Sequence, residues 1–105
     1  MLESISIHRI FCVLTIGACF ALSGCAGAPV QEMSNARQAI RAARDAGAES
    51  VAGAQLTEAR ALLERAEASL QSRAYRDARR NAVAARGKAV EALEAAQTTA
   101  RKGSG

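Results

Sequence analysis

Aromatic side chains are nearly absent: the 105-residue chain has no tryptophan, one tyrosine, Tyr75, and two phenylalanines, Phe11 and Phe20. Surfaces that grip single-stranded nucleic acid stack bases on aromatic rings, so nucleic acid is not the expected partner. Histidine occurs once, at His8. With no later histidine and no glycine-rich phosphate loop, the chain lacks the usual nucleophilic, acid–base and cofactor constellations. The expectation is a protein that is not an enzyme and holds no catalytic residue and no metal. Proline occurs once, at Pro29, so no ring interrupts a helix beyond that point. Long apolar runs are missing too: the stretch from Ile10 to Leu22 is 13 residues, against about 20 for a helix that crosses a bilayer.

Cysteine is scarce but well placed, at Cys12, Cys19 and Cys25. The run from Ile10 is closed by Leu22-Ser23-Gly24-Cys25, after which the composition turns polar and alanine-rich. A short hydrophobic core, then small residues, then a cysteine resembles the lipobox of bacterial lipoprotein precursors. Arg9 gives this segment its positive charge, with a partial contribution from His8 and opposition from Glu3. The resemblance implies a signal helix over 1–24 that is removed by cleavage between Gly24 and Cys25. It also implies a diacylglyceryl group on the Cys25 sulfur and an acylated amine, a covalent lipid rather than a cofactor. Several chains on one cysteine anchor durably, at about 0.8 kcal/mol per buried methylene. Cys12 and Cys19 would leave with the signal, so no disulfide or thiolate metal framework remains. An aspartate after the cysteine commonly signals inner-membrane retention in such proteins. Ala26 stands there, which in a Gram-negative cell favours the inner leaflet of the outer membrane, facing the periplasm.

From Cys25 onward the chain has 81 residues, of which 24 are alanine. Alanine, arginine, glutamate, leucine and glutamine dominate, all strong helix formers, and the composition predicts an all-α domain. Residues 25–31 are expected to be the lipidated cysteine and a tether, 32–102 the helical domain and 103–105 a disordered tail. A first helix should begin at or just after Pro29, with Met33, Ala36, Ile40, Ala43 and Gly47 on one stripe. Gly47 and Gly53 bracket a predicted turn or weakened helix over 46–54. A second helix from about Gln55 carries Leu56, Ala59, Leu63, Ala66 and Leu70, widened by Leu62. No glycine or proline marks the next boundary, and one helix over 55–101 is an alternative to two. A break near Ser72 is favoured, with Ser72 as the N-cap of the last helix and Asp77 near its positive end. Ala78, Ala82, Ala85, Ala89, Ala92, Ala96 and Ala100 then follow at near-heptad spacing. Small side chains at such spacing let helices approach closely, which predicts a coiled-coil-like hairpin or small three-helix bundle.

Ala43 with Gly47-Ala48, then Leu56, Ala59, Leu63, Ala66 and Leu70, then Tyr75 and Ala78 followed by alanines every three or four residues, resemble the short envelope lipoproteins that bear domain of unknown function 4398. The likeness runs over roughly residues 29 to 101. It implies an α-helical envelope protein and no particular activity. The chain is also similar to the murein lipoproteins, small and heptad-patterned proteins that join peptidoglycan through a terminal lysine. Here Lys102 is followed by Gly103-Ser104-Gly105, which breaks that pattern.

Charge supplies the remaining candidates. Residues 73–102 carry 8 basic against 3 acidic side chains, with Arg73, Arg76, Arg79, Arg80 and Arg86 grouped near the start. This group is a candidate contact for an anionic partner: lipopolysaccharide, anionic lipid or peptidoglycan. Glu64 with Glu67, and Glu91 with Glu94, are expected to be solvated and paired with neighbours such as Arg60 and Arg65. Tyr75 is expected to lay its ring across the bend between two helices and leave its hydroxyl wet. Two functions follow as expectations. The first is a lipid-anchored envelope protein with a structural or protein-interaction role, held at the membrane by its lipid and associating with another protein or another copy through its helix seams. The second is a binding module for an anionic envelope component.

Overall fold

A computed structural model describes residues 27–104. The lipobox, its cleavage site at Gly24 and Cys25, and the whole signal segment lie outside the described residues. Those described are all-α: α1 spans Val30–Asp45, α2 is a single turn over Ala48–Val51, α3 spans Gly53–Gln71 and α4 spans Tyr75–Ser104.

α1 starts one residue after proline. Pro29 holds the cap position with φ −78°, its carbonyl accepts the Met33 amide at 3.0 Å, and Glu32 places a carboxylate in the positive first turn. The helix ends where the glycine signal stood. Gly47 adopts φ +85°, and its amide donates to the Arg44 carbonyl at 2.9 Å. This left-handed residue is the usual stop after a helix, since a side chain there would meet its own backbone. α2 follows at once, with the Ser50 hydroxyl donating to the Gly47 carbonyl at 3.0 Å. The weakened segment expected over 46–54 is therefore a stop and a one-turn helix. Gly53 is the first residue of α3, two positions ahead of the expected start at Gln55.

The second break falls near Ser72, but its chemistry differs from the expectation. Ser72 closes α3 instead of opening α4: its hydroxyl donates to the carbonyls of Ala68 at 3.1 Å and Ser69 at 3.2 Å. Arg73 follows with φ +61°. The Arg73 amide donates to the Leu70 carbonyl at 3.1 Å and the Ala74 amide to the Ser69 carbonyl at 2.8 Å. This pair of bonds is the Schellman closure that glycine normally serves. α4 then runs 30 residues to Ser104. The tail expected to be disordered is helical through Gly103 and Ser104, where the Ser104 hydroxyl donates to the Ala100 carbonyl at 2.9 Å. Gly105 lies outside the described residues.

α4 is the spine, packing along α1 and α3. Met33, Ala66 and Ala82 meet in one cluster. Ile40, Ala43, Leu56, Ala59, Ala89, Ala92 and Ala96 meet in another, with Ala48 and Ala52 from the α2 region. Contact partners thus rise together along α1 and α4 and descend along α3, an up-down-up bundle of three long helices. The seam follows the sequence pattern closely: Ala78, Ala82, Ala85, Ala89 and Ala92 are each 0% exposed. Their small size lets the helix backbones close up, but each methyl contributes only about 0.8 kcal/mol. Met33 and Leu56 are the largest helical side chains fully enclosed, alongside Pro29 at the start of α1. Ala100 keeps the spacing yet is exposed, because α1 and α3 supply no partner so far along; every residue from Gln97 to Ser104 is exposed. These eight residues extend α4 by about 12 Å beyond its last buried alanine.

Candidate functional site

Four of the five arginines singled out in the sequence lie at the end of the bundle where α3 turns into α4. Arg73 stands in the turn, while Arg76, Arg79 and Arg80 lie in the opening turns of α4. Arg86 lies seven residues past Arg79, about 10 Å farther along the axis, and does not belong to this end.

Helical geometry divides the group. The buried alanines of α4 centre on Ala78, Ala82 and Ala85. At about 100° per residue, Arg76 and Arg80 fall on the opposite side and Arg79 at the flank, next to α1. Arg79 is consequently engaged. Its Nε donates to the Glu32 Oε1 at 3.2 Å, and its Nη2 donates to the Gly27 carbonyl at 3.3 Å. These bonds fasten Gly27 and Glu32 to the first turns of α4. Arg73, Arg76, Arg80 and Arg86 are exposed and form no ion pair among the described residues.

Of the carboxylates expected to pair locally, Glu91 does so while Glu67 reaches another helix. Glu67 accepts from Arg37 of α1 at 3.4 Å, and Arg60 reaches Glu49 of α2 at 2.8 Å. Lys88 is shared between Glu91, at 3.3 Å on its own helix, and Glu58 of α3, at 3.8 Å. Apart from Lys88 with Glu91, which runs along α4, these pairs join helices. The cross-helix pairs are invisible to local spacing because they depend on how the helices align. All are exposed or partly exposed, each worth about 0–1 kcal/mol.

Tyr75, the first residue of α4, keeps 36% of its surface exposed. Val30, the first residue of α1, is 70% exposed, and Val83 on the outer side of α4 is 57% exposed. The arginine-bearing end therefore also displays apolar and aromatic surface. Among the described residues no buried side chain is polar or charged, and no group of three or more histidine, cysteine, aspartate or glutamate side chains is placed to hold a metal ion. No described helix is long and apolar enough to cross a membrane.

Residues 31–103 match the family model described as Domain of unknown function (DUF4398). Comparison with curated proteins and with solved structures finds no match.

Proposed function

Because the chain belongs to the DUF4398 family, whose description assigns no activity, we propose from its own residues that it is a lipid-anchored protein of the bacterial cell envelope with a non-enzymatic, structural or interaction role. The lipobox order of Leu22-Ser23-Gly24-Cys25 carries the reading. The fold is compatible with it, since the described chain starts at one end of the bundle, with Gly27 held beside the first turns of α4. A lipid on Cys25 sits two residues away, within about 7 Å of extended chain. Ala26 in place of an aspartate favours the periplasmic face of the outer membrane. The alanine seams are largely consumed within the bundle, which shifts the interacting surface to its ends and outer faces.

Intact mass of the N-terminus from membranes tests the reading. The expected result is a chain that starts at Cys25 and carries the mass of a diacylglyceryl group, with Cys25→Ser yielding unlipidated protein that no longer sediments with membranes. Cleavage elsewhere, or a lipid-free Cys25, overturns it.

A further inference from the structure

We propose that the end of the bundle formed by the α3–α4 turn seats on anionic phospholipid headgroups of the membrane that holds Cys25. The inference rests on the lipid-anchor reading and adds a second point of contact to it.

Its first support is position. Arg79 binds the Gly27 carbonyl at 3.3 Å, so the tether leaves the bundle beside the first turns of α4. Two residues of chain, at most about 7 Å, separate Gly27 from Cys25. A lipid on that cysteine brings this end, and not the opposite one, to the headgroups. The tip of α4 lies on the order of 45 Å away along the helix.

The second support is charge. Arg79 is neutralised by Glu32 and Arg37 by Glu67. What remains at this end is Arg73, Arg76 and Arg80 against Asp77, an excess of two positive charges. Arg76 and Arg80 are four apart on the outer side of α4, and Arg73 is exposed in the turn before it. Guanidinium groups pair well with phosphate oxygens, and each basic side chain near an anionic surface adds a similar increment of attraction.

The third support is the apolar surface at the same end. Val30 is 70% exposed and lies three residues past Gly27, and Tyr75, between Arg73 and Arg76 in the chain, is 36% exposed. A tyrosine ring suits the headgroup level, where its body is in contact with apolar groups and its hydroxyl stays wet. Basic side chains at the same end as an exposed valine and a tyrosine suit a lipid surface better than a purely polar polymer.

The test uses the processed, full-length lipoprotein reconstituted into vesicles of phosphatidylcholine alone or mixed with phosphatidylglycerol. Phenylglyoxal modification is mapped by peptide mass. Arg73, Arg76 and Arg80 should react about tenfold more slowly on anionic than on neutral vesicles, and added salt should restore the rate. Arg101, near the tip of α4, should react alike on both. The emission of Tyr75, the only tyrosine, should be quenched by brominated phosphatidylglycerol in the parent and much less in the triple variant Arg73→Gln, Arg76→Gln, Arg80→Gln, with circular dichroism confirming that its helices persist. Equal reactivity on both vesicles, with Tyr75 quenched alike in parent and variant, overturns the inference. Protection of the arginines by purified sacculi on neutral vesicles overturns it in favour of peptidoglycan. The N-terminal mass of the same preparation separates the two readings. A lipidated Cys25 without arginine protection leaves the anchor standing and removes the seat, whereas a lipid-free Cys25 removes both.

Discussion

The amide of Ala74 donates to the carbonyl of Ser69 at 2.8 Å, and between them stands an arginine where most helix ends of this kind place glycine. Arg73, at φ +61°, bears the steric cost of the left-handed region, about 1–2 kcal/mol for a residue with a Cβ. Arg73→Gly should therefore stabilise the bundle by about 1 kcal/mol, a rise of about 4–8 °C in Tm for a domain of this size. Thermal melting by circular dichroism checks it; a lower Tm means that the turn is not left-handed in solution.

Gly87 is the mirror case. It lies inside α4, exposed, and a Cβ built there meets nothing within 4 Å. Gly87→Ala should stabilise by about 0.5–1 kcal/mol through helix propensity. Denaturant unfolding reads it as a higher midpoint at constant slope.

Ala89 and Ala100 share a sequence pattern but not a surrounding. Ala89 is 0% exposed, whereas Ala100 lies on the free end of α4. Ala89→Leu should force the helices apart and cost about 1–3 kcal/mol. Ala100→Leu should stay within about 0.5 kcal/mol of the parent. Equal effects at the two positions would refute the partner assignment along the seam.

The Arg79 bridge makes a prediction about motion more than about stability. Arg79→Gln should cost only about 0.5–1 kcal/mol overall, as expected for a half-exposed pair. Amide exchange over residues 27–33 should rise severalfold, while exchange in the middle of α3 should not change. An unchanged rate over 27–33 means that the bond to Gly27 does not hold the tether.

Periodicity made most of this architecture legible. The stripes through Met33, Leu56 and Ala78 are the buried faces, because spacings of three and four translate directly into one side of a helix. Gly47 announced its stop, since glycine is the common solution to a left-handed residue. Arg73 gave no such sign, because a side chain that tolerates strain carries no mark of it in the sequence. The candidate site was legible only as a crowd of arginines. That Arg79 differs from Arg76 and Arg80 depends on Glu32, 47 residues earlier, and nothing local to either helix encodes that meeting.

A row of identical methyls is almost blind to translation. Shifting α4 along α3 by one heptad moves it about 10 Å and again sets small side chain on small side chain over most of its length. What distinguishes one register from the next is held by few groups: Met33 and Leu56, the large helical side chains fully enclosed, and the cross-helix pairs of Lys88 with Glu58 between α4 and α3, Arg79 with Glu32 and Arg37 with Glu67. Composition makes the helices, but those few side chains decide which of several near-equivalent alignments they keep.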